Sequence, residues 1–136
     1  MRWLLIVALA SCTRTVEHDT PDADPDHPFP APRTDLLPAV GSEATLEIAT
    51  WNIQNFPAKP STPESVADVI ASLNVDIVVT EEIADEDAWN ELLQRLRDYD
   101  GILSTHQYAP GDYQKIGVIY RRSLVTPGAP DRKSVV

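Results

Sequence analysis

Two short apolar runs in this sequence each end in a side chain that can present oxygen to a cation. The first, Leu46 to Phe56 (LEIATWNIQNF), carries Asn52, and the second, Asp76 to Ile83 (DIVVTEEI), carries Glu82. An amide oxygen and a carboxylate brought to one spot are hard ligands. They suit Mg²⁺, which takes one or two carboxylates and fills its other positions with water and substrate phosphate. For the two to meet, the chain must fold both runs onto one rim. Both read as strands, with Asn52 at the end of the first, Glu82 at the end of the second and an amphipathic helix between them. A right-handed βαβ unit makes such strands parallel and opens both C-terminal ends on the same side of the sheet, where open α/β sheets bind ligands.

The connecting elements carry their own signals. Gln54 to Ser61 is a proline-interrupted loop. A helix is predicted from Thr62 as N-cap, with Pro63 at its first position and Glu64 in its first turn. Val66, Val69, Ile70 and Leu73 form one apolar stripe, and Asn74 ends the helix. Val75 to Val79 is apolar almost throughout, as a parallel strand covered on both faces should be. Of the acidic residues that follow, Asp85 or Asp87 is expected as the next N-cap, with Glu86 in the first turn. Glu82 differs because it precedes that turn. The second helix is expected from Glu86 to Asp98, with Trp89, Leu92, Leu93 and Leu96 facing the core. Gly101 to Gln107 and Lys115 to Arg121 read as an antiparallel hairpin around Ala109-Pro110-Gly111-Asp112, which completes a mixed sheet of α/β class. His106 reads as structural and Lys115 as an exposed strand residue.

Trp51-Asn52-Ile53-Gln54-Asn55 resembles the N-terminal motif of the endonuclease/exonuclease/phosphatase superfamily, the deoxyribonuclease-I-like fold, and Asp76 to Ile83 resembles its second motif. In that family the second motif usually reads Gln-Glu; here Glu81 stands first. The resemblance runs from about Leu46 to Arg122 and implies a four-layer α/β sandwich, of which this chain carries the N-terminal sheet and its helices. It implies that Glu82 binds Mg²⁺ or Mn²⁺, that Asn52 helps position metal and phosphate, and that Tyr113 approaches the scissile phosphate. The Gly-Asp-x-Asn motif and terminal Asp-His pair of family domains do not occur. Asp131 to Val136 (DRKSVV) matches what a common sequencing adapter encodes in one frame, so the record is expected to be cut near Pro130, leaving an inert fragment of a phosphoesterase.

The N-terminal third has a different character. Met1 to Ser11, with Arg2 ahead of an apolar run too short to span a membrane, reads as an export signal. Leu9-Ala10-Ser11-Cys12 resembles a bacterial lipobox, which implies lipidation of Cys12 and a membrane anchor facing the periplasm or cell exterior. As the only cysteine, Cys12 excludes an intramolecular disulfide. Residues 12–43 are rich in proline and aspartate, which predicts an extended, disordered tether; His18, Asp22, Asp24, Asp26 and His27 within it read as solvated rather than as metal ligands. The domain proper is then residues 44–130, expected as a monomer at full length.

Net charge −10 offers no basic footprint for duplex DNA, though much of it lies in the tether. The expected parent activity is phosphodiester hydrolysis by an extracellular or cell-surface nuclease. A phospholipid or small phosphate-ester phosphodiesterase and a non-catalytic surface-binding lipoprotein are the alternatives. An unrelated nucleotide-binding α/β protein would need a glycine-rich loop after the first strand, where Asn55-Phe56-Pro57-Ala58 stands instead.

Overall fold

The computed structural model describes residues 27–105 and 114–128. Over these, strand β1 (Ile48–Phe56) is followed by helix α1 (Thr62–Leu73), β2 (Ile77–Ile83), α2 (Glu86–Arg95), β3 (Tyr99–Leu103) and β4 (Lys115–Arg121). β1 and β2 are parallel, β4 lies antiparallel to β2, and β3 antiparallel to β4. The result is the expected mixed α/β sheet, in the order β1-β2-β4-β3. Cys12, His106, the turn at 109–112, Tyr113 and residues 131–136 lie outside the described residues.

Side-chain alternation sorts the strands into two faces. One face carries the rows Ala49, Val78, Ile119, Gly101 and Trp51, Thr80, Gly117, Leu103. Val66, Ala67 and Ile70 of α1, with Trp89 and Leu92 of α2 and Leu96 just beyond it, close over this face in one buried cluster. Each fully buried aliphatic side chain there contributes about 1.5–3 kcal/mol. The opposite face carries Ile48, Ile77, Tyr120 and Asp100 in one row and Thr50, Val79, Val118 and Ile102 in the next. Among the described residues it stays open, leaving Ile48 61% and Ile102 47% exposed.

The helix ends differ slightly from the expected ones. Ser61, not Thr62, occupies the N-cap of α1 and makes no side-chain cap. Thr62 instead uses its hydroxyl to accept from the Lys59 N–H at 2.9 Å, closing the preceding turn. Asn74 does end α1, in a left-handed conformation with φ 56° that asparagine tolerates better than most residues. Asp85 caps α2 by accepting from the Ala88 N–H at 2.9 Å. α2 stops at Arg95 rather than Asp98 because Leu96 turns into the core and Tyr99 already starts β3.

The tether expected to run to residue 43 does not stay free over its second half. The Arg33 N–H donates to Asp68 Oδ1 at 2.8 Å; the Ser72 hydroxyl accepts from the Leu36 N–H and donates to the Arg33 carbonyl. The N–H groups of Val40 and Gly41 meet the Leu73 carbonyl at the end of α1, and the Arg95 guanidinium lies 4.3 Å from the Phe29 ring centroid. The segment needs little apolar surface to order, because its prolines lower the entropy to be lost and its backbone satisfies polar groups that the helix leaves open. Gly41 is required by proximity: a Cβ there would sit 1.8 Å from the Asn74 carbonyl oxygen.

At the end of the sheet away from Asn52 and Glu82, Tyr99 donates to the Val75 carbonyl at 2.7 Å and accepts from Arg121 at 2.8 Å. Burial pushes the Tyr99 phenol above its ordinary range, and the Arg121 charge only partly opposes this. The folded protein therefore holds this proton more tightly than the unfolded chain. Stability should be level below about pH 10, where the unfolded tyrosine starts to ionise, and fall as pH rises through the higher folded value. Urea unfolding between neutral and strongly alkaline pH should show this decline, and Tyr99→Phe should make it shallower.

Candidate functional site

β1 and β2 stay in step as far as Asn52 opposite Glu81, and the next pair is Phe56 opposite Ile83. The stretch of β1 from 52 to 56 thus covers the distance that β2 covers from 81 to 83. The surplus is absorbed at Gln54 and Asn55, which take left-handed φ of 39° and 51°. β2 has its own extra residue against β4, between the Thr80–Gly117 and Ile83–Lys115 pairs, and Glu82 there has φ 65°. Such backbone costs a non-glycine residue roughly 1–3 kcal/mol and needs surrounding structure to hold it. Asn52 therefore lies inside its strand rather than at its end as expected, while Glu82 sits at the C-terminal end of β2. The bulges re-aim their side chains.

The two do meet. Asn52 Nδ2 donates to Glu82 Oε1 at 2.8 Å, and the Asn55 main-chain N–H donates to Oε2 at 3.2 Å. Asn52 Oδ1 accepts from the Gln54 N–H at 2.9 Å. That contact fixes the orientation of the amide, since a backbone N–H can be met only by its oxygen. The amide oxygen expected beside the carboxylate is thus turned to its own loop, and the nitrogen faces Glu82. In this arrangement Asn52 orients the carboxylate through its NH₂ group.

Each Glu82 oxygen accepts one of these bonds and retains a further lone pair, so the half-buried carboxylate is aimed without being saturated. Among the described residues no three His, Cys, Asp or Glu side chains are grouped to enclose a cation. One oriented carboxylate is nevertheless the donor set that suits Mg²⁺ or Mn²⁺ held mainly by water and phosphate oxygens. Glu81, exposed opposite Asn52, adds negative charge to the same rim.

Two neighbours were not read from the sequence as part of the site. Asn55 Oδ1 accepts from Gln114 Nε2, at the start of β4. The signal for Asn55 was its type, since asparagine is enriched at left-handed positions; nothing comparable marked Gln114. Lys115, expected to be exposed, is buried at 6% and paired with Glu86 in the first turn of α2. Alternation from Ile119 through Gly117 places it on the helix-covered face, where its alkyl stem packs and its ammonium reaches the acidic helix start.

A cavity of about 710 Å³ lies at the other end of the sheet and is lined by residues including Thr45, Asp76 and Arg121. Its central charged groups are already paired. Arg121 donates to Asn74 Oδ1 at 2.7 Å and lies 3.6 Å from Asp76 Oδ1, while Asp76 Oδ2 accepts from the Glu47 N–H at 3.0 Å. That network ties strand ends together, whereas the Glu82 carboxylate keeps acceptor capacity for a ligand.

A family model described as "Endonuclease/Exonuclease/phosphatase family" matches residues 49–134, more than half of the chain. The matched span includes Asn52, Asn55, Glu82 and Gln114. No curated protein and no solved structure matches.

Proposed function

Since the chain belongs to the endonuclease/exonuclease/phosphatase family, whose members generally hydrolyse phosphate ester bonds, we propose that it supplies the metal-anchoring part of a phosphoesterase active site. The observation that carries this reading is the clamp on Glu82, one donor on each carboxylate oxygen. Glu82 would hold Mg²⁺ or Mn²⁺, with Asn52 and Asn55 fixing the carboxylate beforehand so that little reorganisation is needed when substrate arrives. The ion, when bound, supplies positive charge beside a nonbridging phosphate oxygen. Tyr113, adjacent in sequence to Gln114, is the proposed neighbour of the scissile phosphate.

The parent protein is proposed to cleave phosphodiester bonds as an exported nuclease, acting as a monomer and held at the membrane by a lipid on Cys12. The apolar run at Trp3 to Ala10, ahead of an acidic, proline-rich segment, supports a site that works outside the cytoplasm. Incubation of the full-length product of the source locus with supercoiled DNA and Mg²⁺ tests this. Nicking is expected, and it should stop when a chelator removes the metal. Hydrolysis of phospholipid head groups with intact DNA would transfer the reading to a lipid-directed phosphodiesterase. Loss of all phosphate-ester hydrolysis would favour a surface-binding lipoprotein.

A further inference from the structure

The strand order puts β2 between β1 and β4, so Asn55 of β1 and Gln114, the residue just before β4, stand on opposite sides of β2. Their side chains nevertheless meet, bridging the C-terminal end of β2 where Glu82 bulges. The same Asn55 gives its main-chain N–H to Glu82 Oε2. A chain of two hydrogen bonds therefore runs from Gln114, next to β4, to the carboxylate. We infer that Gln114 is a positioning residue: through Asn55 it holds Glu82 in its cation-accepting orientation and couples that orientation to the start of β4. The inference rests on the metal-anchoring reading of Glu82.

The two arms of the clamp are supported differently. Asn52 is fixed locally, by the N–H of Gln54 two residues away. Asn55 sits at φ 51°, a backbone state it would leave readily if its side chain were free, and leaving it would swing the N–H away from Oε2. Gln114 supplies the contact that reaches beyond the bulge. Its own position is firm because the next residue, Lys115, is buried and tied to Glu86. Gln114 itself is exposed, so its amide can be removed without opening the core.

Groups that orient a metal ligand from behind typically change affinity by about 10–100-fold when removed. The test uses the 136-residue chain and Mn²⁺ as probe. Binding is followed by the loss of the free Mn²⁺ paramagnetic signal, and exchange of the Asn55 amide proton by NMR. Gln114→Ala should raise the Mn²⁺ Kd about tenfold or more and speed Asn55 amide exchange, with the thermal midpoint unchanged. Asn55→Ala should weaken binding similarly, and adding Gln114→Ala to it should cost nothing further, because the second residue acts through the first. Unchanged amide exchange in Gln114→Ala overturns the inference, as does additive weakening in the double variant. If the wild type binds no Mn²⁺, the metal reading of Glu82 fails; the amide exchange still decides whether Gln114 positions the clamp.

Discussion

Glu82→Gln should leave the protein folded and remove the metal-dependent hydrolysis proposed for it. The substitution keeps the shape and the local backbone but takes away the negative charge that anchors a divalent cation. It also disturbs the clamp. A glutamine has one acceptor oxygen and one NH₂, whereas Asn52 Nδ2 and the Asn55 N–H both donate to the native carboxylate. One donor would then face another donor. With several kcal/mol of charge stabilisation supplied through the metal, and each 1.36 kcal/mol worth a tenfold change, the rate should fall by roughly 10³-fold or more. Mn²⁺ binding should disappear in the same preparation, while circular dichroism and the urea midpoint stay close to wild type. Asn52→Ala should act more mildly, because Asn55 still holds the other oxygen. Turnover retained in Glu82→Gln at wild-type metal concentration would remove Glu82 from the site.

Periodicity placed the strands and helix, and the resemblance of residues 51–55 and 76–83 to the family motifs singled out Asn52 and Glu82 on them. The stripe of Val66, Ile70 and Leu73 reads as a helix between two apolar strands, and a right-handed crossover then has to bring Asn52 and Glu82 to one rim, where they lie within a hydrogen bond of each other. The direction of the Asn52 amide was not legible, because it depends on a bulge. Bulges arise when strands of unequal residue count are paired, and that count is known only once the pairing is known. Gln114 was invisible for a related reason: its partner lies 59 residues away, and the contact exists only because β2 is spanned from both sides. The packing of 27–43 on α1 was misjudged because composition measures what a segment can bury. Here the order comes from backbone groups meeting Ser72 and the open carbonyl of Leu73. Lys115 reads as a surface residue by type and as a buried one by alternation, and alternation prevailed since Glu86 satisfies its charge.

The largest effect on stability is expected at Trp89. This residue is 2% exposed and faces the sheet from α2. On the strands beneath it stand Gly101 of β3 and Gly117 of β4, both on the helix-covered face. A Cβ at Gly117 would come within 2.4 Å of Trp89 Cη2 and 2.6 Å of Cζ3, and one at Gly101 within 2.9 Å of Cζ2. The two glycines form a trough in which the indole lies, so the ring fills space that no strand side chain occupies. Trp89→Ala would leave that trough empty and should cost about 3–5 kcal/mol. That is a large part of the roughly 5–15 kcal/mol that stabilises an ordinary domain, so a partly unfolded population at 37 °C is expected. Gly117→Ala acts in the opposite sense, crowding the trough, and should cost about 1–3 kcal/mol. The pair should be strongly coupled. Phenylalanine lacks the far ring atoms that a Cβ at 117 would strike, and only the 2.7 Å approach to Thr80 Oγ1 would remain, so Gly117→Ala should be better tolerated beside Trp89→Phe than alone. Urea midpoints at constant m-value measure all four proteins. Equal cost of Gly117→Ala in the two backgrounds would show that the ring and the glycine do not share this space. α2 is capped at Asp85, three residues after Glu82, and Gly117 lies two residues beyond Lys115. Loosening this trough should therefore also weaken metal binding at the rim, a loss that Mn²⁺ titration of the Trp89→Phe protein would register before unfolding does.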